Sequence, residues 1–91
     1  MNKEGDDKIT TWVNDNIECA LIYDGFNDAI IGFSERMGRS PIVAYDRDKC
    51  IDILMERDGM TYEQADEYLE VNYIGAWVGE ETPEFITLMS L

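Results

Sequence analysis

Four carboxylates, Glu63, Asp66, Glu67 and Glu70, stand at i, i+3, i+4 and i+7. If that segment is helical, the spacing lines them along one ridge. A row of anions can hold a metal, share a proton in acid–base work, or present charge to a cationic surface. Acid–base chemistry draws no support from the spacing alone, because among twenty acids in 91 residues some suitable pair is inevitable. The chain has no histidine, which removes the usual general base and every Ser-His or Cys-His nucleophile pair. Two cysteines without histidine do not make a standard structural zinc site. Asp46-Arg47-Asp48 opens like a calcium loop, but a third oxygen ligand, the glycine at the sixth position and the glutamate at the twelfth are missing. Gly32 and Gly38 are isolated, and no Gly-Lys-Ser/Thr follows either. We therefore expect no enzymatic activity, no cofactor and no metal. What remains for the ridge is a solvated helix face or a row of anions offered to a basic surface.

The charge distribution sharpens the second alternative. No lysine or arginine follows Arg57, whereas Asp58, Glu63, Asp66, Glu67, Glu70, Glu80, Glu81 and Glu84 all fall in that last third. The formal charge is −13, and eight of those negative charges lie there. Nucleic acid and anionic membrane surfaces repel such a chain, so direct binding to either is not expected. A basic protein surface would attract it.

The elements that must carry these acids follow from local pattern. Asp46 reads as the N-cap of a helix whose apolar stripe is Cys50, Ile51, Leu54 and Met55, with Gly59 as its left-handed stop. Thr61-Tyr62-Glu63-Gln64 fits a capping box and starts a second helix. Its inward face would be Ala65, Tyr68, Leu69, Asn72 and Ala76, and Gly79 its stop. Upstream, Cys19 to Tyr23, Ala29 to Phe33 and Pro41 to Tyr45 read as three strands of an antiparallel meander, with a helix over Phe26 to Met37, weakened by Gly32, as the other reading of the second, and Glu84 to Leu88 as a closing fourth. Asp24-Gly25 is the turn between the first two, with an acidic contact loop as the other reading of Asp24 to Asp28. Met1 to Lys8 reads as a frayed end, and Ile9 to Val13 stays undecided between strand and helix.

The expected fold is thus α+β: one domain over residues 1–91, a small antiparallel sheet of three to four strands packed against two consecutive α-helices. With 45% hydrophobic residues the chain can build a core despite its charge. Cys19 and Cys50 lie in apolar runs and read as buried free thiols. Tyr68, Tyr73, Trp77 and Phe85 read mainly as core, with Trp77 or Tyr73 partly exposed as an interface anchor. A polar start and short apolar runs suggest a soluble, cytosolic chain without a membrane span.

Tyr45-Asp46-Arg47-Asp48-Lys49-Cys50-Ile51, Leu54 to Met60, Glu67 to Asn72, Gly75 to Glu80 and Thr82-Pro83 together resemble a family of small uncharacterised proteins of tailed bacteriophages. Asp24-Gly25-Phe26 to Gly32 resembles its upstream segment. The resemblance implies a phage or prophage setting and action in the bacterial host cytoplasm; it brings no catalytic residue with it. In that setting the acidic chain is expected to inhibit a host defence nucleoprotein, as an anti-CRISPR or anti-restriction protein. It would occupy a basic nucleic-acid-binding surface as a DNA mimic, using Glu63, Asp66, Glu67, Glu70, Glu80, Glu81 and Glu84, with Trp77 as apolar anchor. The alternative is a phage accessory or regulatory module, a homodimer being one form, whose surface charge serves only solubility.

Overall fold

The computed structural model describes residues 3–16 and 20–90 and shows a small α+β fold with a mixed three-stranded sheet. Helix α1 spans Lys3–Asn16; an irregular segment over residues 20–26 and a 3-10 turn at Asn27–Ala29 precede β1 (Ile30–Arg36) and β2 (Arg39–Asp46). Helix α2 is Arg47–Asp58, α3 is Tyr62–Leu69, a π-helical turn covers Glu70–Ile74, and β3 is Glu84–Ile86.

The two helix starts follow their local chemistry. The Asp46 carboxylate accepts a hydrogen bond from the Lys49 amide at 3.3 Å, and Gly59 ends α2 in the left-handed region at φ 68°. Thr61 and Gln64 form both halves of the capping box at 3.2 and 3.0 Å. The helix they start is shorter than its pattern suggests. Regular α-helix ends at Leu69, and the chain leaves the π-helical turn at Gly75, four residues before the expected stop at Gly79. The Gly75 amide donates to the Glu70 carbonyl at 2.8 Å, the wide bond of a π turn.

The sheet departs from the expected meander. β1 and β2 form the antiparallel hairpin, but β3 lies parallel to β2 through Ala44↔Glu84, Tyr45↔Phe85 and Asp46↔Ile86. The α2–α3 pair lies between β2 and β3 and returns the chain to the end of the sheet from which β2 started, which makes a parallel pairing. Pro41 falls inside β2, at the end where β3 does not reach and close to a register irregularity, so its missing N–H is tolerated.

Ala20 to Tyr23 is not a strand; Cys19, the start of that expected strand, lies outside the described residues. The segment is half-buried and irregular, and the core holds it through Tyr45. The Tyr23 amide donates to the Tyr45 hydroxyl at 2.7 Å, and the two rings stack at 5.8 Å. A run rich in apolar residues can satisfy its burial this way without joining the sheet. The N-terminal segment differs as well. Residues 1–2 lie outside the described residues, but Lys3 onwards is helical, Val13 is fully buried, and Trp12 packs on Phe33 at 5.8 Å.

The core is Val13, Phe26, Ala29, Val43, Tyr45, Cys50, Ile51, Leu54, Ala65 and Leu69. Cys50 is a buried free thiol. On α2 the inward stripe keeps Cys50, Ile51 and Leu54, whereas Met55 is exposed and Ile53 packs against the core instead. Phe85 stacks on Tyr45 at 5.4 Å, and Tyr73 meets Phe26 edge-on at 5.2 Å, so β3 and the π turn join one aromatic cluster around Tyr45. Arg57 closes the Asp24-Gly25 turn from outside. It donates to the Gly25 carbonyl at 3.2 Å and lies over the Phe26 ring at 5.4 Å. A side chain at Gly25, where φ is 90°, would collide with that guanidinium.

Two outcomes follow for stability. Tyr45→Phe keeps the packing but leaves the Tyr23 amide without its acceptor, and urea unfolding should show a loss of about 1–2 kcal/mol. Alkaline pH should also destabilise. Burial pushes the Cys50 thiol and the Tyr45 hydroxyl up to about 12. In the unfolded chain they ionise near about 8.5 and about 10. Across that window the unfolded state holds fewer protons, so the stabilisation is complete below about pH 8.5 and is lost as pH rises towards about 12. The urea midpoint should fall over this range, and in Cys50→Ala the fall should begin nearer the tyrosine value.

Candidate functional site

The capping box sets the rotational phase of α3, and Ala65 and Leu69 turn inward into the core. The opposite face carries Glu63, Asp66, Glu67 and Glu70, as the i, i+3, i+4, i+7 spacing requires. The ridge is not uniformly anionic, however. Arg47, the first residue of α2, reaches across to α3 and pairs with both Asp66 and Glu70, the latter at 2.9 Å. Its side chain is only 18% exposed, and the two carboxylates raise its pKa, Asp66 contributing more than Glu70. A cation in the first turn of a helix opposes the helix dipole. Here the two acids across the helix pair supply the compensating charge. Glu63 and Glu67 are exposed and have no ion pair among the described residues.

The second acidic segment is divided in the same way. Glu80 pairs with Arg39 at 2.8 Å, and its carbonyl accepts a hydrogen bond from Arg36 at 3.0 Å. Both arginines come from the β1–β2 hairpin, so they tie the loop before β3 to the far end of the sheet. Thr82 shapes that loop from within. Its hydroxyl donates to the Gly79 carbonyl at 2.6 Å and accepts from the Val78 amide at 2.9 Å. Glu81 and Glu84 are exposed and unpaired among the described residues. Of the seven carboxylates expected to form one contact, Asp66, Glu70 and Glu80 are thus bound to arginines of the fold, and four are open.

The aromatic residues also divide. Tyr73 and Phe85 belong to the cluster around Tyr45, while Trp77 stands 68% exposed and away from it. Tyr68, expected on the inward stripe, is on the rim at 6.0 Å from Tyr73 and is 38% exposed. The π turn changes the phase only beyond Leu69. After Leu69 the inward positions are Tyr73 and Ile74, one residue later than the expected Asn72. Tyr68, Val71 and Asn72 are left outside. With Met60, Gln64 and Glu67 they line an open groove of about 470 Å³ on the outer side of α3. Val71 is 67% exposed, so this groove is an apolar surface next to an unpaired carboxylate. Sequence reasoning missed it because Val71 falls off the α-helical stripe, and nothing local signals the wide turn.

Among the described residues, no group of three or more carboxylates and thiols is arranged to hold a metal ion, and no helix is long and apolar enough to cross a membrane. No family model matches the chain, and no curated protein or solved structure matches it significantly. The arrangement offers a surface of exposed apolar side chains with carboxylates among them that are unpaired among the described residues.

Replacing Arg47 tests whether the fold uses the paired half of the ridge. Arg47→Met should lower stability by about 0.5–1 kcal/mol at low ionic strength, and added salt should shrink the difference in urea midpoints. Asp66→Asn and Glu70→Gln should lose less when combined with Arg47→Met than in the native chain, since they share that partner.

Proposed function

We propose that this chain is a non-enzymatic, phage-type inhibitor of a host defence nucleoprotein, of the anti-CRISPR or anti-restriction kind. It binds a basic protein surface that otherwise holds nucleic acid, in the bacterial host cytoplasm. The observation that carries this reading is the outer side of α3, where Glu63 and Glu67 have no ion pair among the described residues and stand beside an exposed apolar surface. Open carboxylates steer a basic partner and raise the association rate, and buried apolar anchors hold the complex once formed. Trp77 and Glu81 in the loop before β3, and Glu84 at the start of β3, extend the same chemistry.

The internal pairing changes the form of mimicry that fits. Asp66, Glu70 and Glu80 already have arginine partners, so a continuous phosphate-like row is not what α3 presents. Competition with nucleic acid then comes from occupying the site with charge and apolar contact together. The same pairing is what favours the second reading, an accessory or regulatory interaction module, in which the remaining surface charge serves solubility.

Capture from host lysate at low salt, followed by elution with duplex DNA or guide RNA, separates the two. The expected result is a nuclease or its guide complex that nucleic acid displaces, with binding weakened about tenfold or more between about 50 and about 200 mM salt. Glu63→Lys with Glu67→Lys should abolish inhibition of that nuclease while lowering the urea midpoint only slightly, since neither acid has an ion pair to lose among the described residues and only Glu63 lies in the first turn, where a cation opposes the helix dipole. Binding indifferent to both salt and nucleic acid would overturn the competition mechanism, and full activity after the charge reversal would favour the module reading.

A further inference from the structure

We infer that the groove on the outer side of α3 receives a cationic amphipathic segment of a partner protein, with a bulky apolar side chain seated between Tyr68 and Val71 and a lysine or arginine paired with Glu67. This deepens the reading above and rests on it, because it assigns to the docking surface the chemistry of what is bound. Three observations converge on it. The groove is apolar and open, about 470 Å³, lined by Met60, Gln64, Glu67, Tyr68, Val71 and Asn72. Val71 stands on the outward side of the chain just after Leu69, 67% exposed, and Tyr68 lies at the rim, 38% exposed. Val71 belongs to the π turn at Glu70–Ile74, and such turns recur at functional sites.

Charge decides the occupant. The carboxylate on the groove wall, Glu67, has no ion pair among the described residues, and Glu63 stands one turn before it. Arg47, which reaches the ridge, is already held by Asp66 and Glu70, and Arg57, whose charge is felt at Tyr68, is paired with Asp58. No lysine or arginine follows Arg57 in sequence, so the segment that builds the groove supplies no counter-charge of its own. An acidic or neutral apolar segment would bury Glu67 without a partner, which is unfavourable. A segment with cations beside its apolar anchor satisfies both halves of the surface. A second copy of this chain is disfavoured by the repulsion between two bodies of formal charge −13.

The test uses the full chain and three synthetic peptides: a helical peptide with a leucine face flanked by lysines, its variant with every leucine replaced by serine, and its variant with every lysine replaced by glutamate. Binding is followed by amide chemical-shift mapping and calorimetry. The first peptide should shift residues around Gln64, Tyr68 and Val71, and the other two should bind at least about tenfold more weakly. Val71→Ser and Glu67→Gln should each weaken the first peptide several-fold. Both positions are exposed, and far-UV circular dichroism confirms that the variants remain folded. Shifts spread evenly over the acidic surface, or affinity unchanged in both variants, would overturn the assignment. So would concentration-dependent shifts at the groove without peptide, which mark a second copy as the occupant. The nuclease competition assay is independent of these peptides. If nucleic acid displaces the captured partner while Val71→Ser has no effect on either assay, the groove assignment fails and the function stands; if the peptides bind as expected and no partner is displaced by nucleic acid, the reverse holds.

Discussion

The fold depends on one buried ring. Tyr45 lies in the central strand, fully buried, at the meeting point of segments that are far apart in sequence. Phe85 of β3 stacks on it, and Tyr23 stacks on it and donates its amide to the hydroxyl. Tyr23 in turn meets Tyr73 of the π turn edge-on at 4.9 Å. A phenylalanine would fill the same space, but only a tyrosine also accepts the hydrogen bond from a segment that has no ladder partner. An irregular stretch can therefore sit beside the core without an unsatisfied amide, and the sheet closes with a parallel third strand rather than a meander.

That arrangement has a consequence for the surface. The aromatic cluster requires Tyr73 to point inward, and an α-helical continuation from Leu69 would bring Asn72 inward beside it. The wider turn satisfies the cluster and keeps Asn72 in solvent, where its side chain bonds back to the Tyr68 carbonyl at 3.0 Å. Tyr68, before the turn, and Val71, on its outward side, lie beside it at the surface. Packing inside and exposure outside are two sides of one local choice of helix geometry.

Electrostatics follows a similar division. The last third of the chain contains no base, yet four of its acids, Asp58, Asp66, Glu70 and Glu80, are paired with arginines from the first two-thirds. Arg47 joins α2 to α3, and Arg39 and Arg36 join the hairpin to the loop before β3. These links are exposed or only partly buried, so each adds modestly to stability. Their larger effect is on shape and on which charges stay open. The surface available to a partner is a set of single carboxylates next to apolar side chains.

The sequence by itself determined what local physics can decide. Asp46, Gly59, and the Thr61–Gln64 box mark helix ends because capping involves neighbours three or four residues apart. The hairpin from Ile30 to Asp46 and the inward residues Cys50, Ile51, Leu54, Ala65 and Leu69 were legible for the same reason, since periodicity is a short-range property. The α+β class followed from those elements, as did the exposure of one of the two candidate anchors, Trp77. Only the tertiary structure decided which acids are open, because Arg47 and Glu70 are 23 residues apart and Arg39 and Glu80 are 41 apart. It also decided that Ala20 to Tyr23 serves the core without pairing, and that the helix widens after Leu69. In each case a distant aromatic or charged group outweighed a local propensity worth only a few tenths of a kcal/mol per residue.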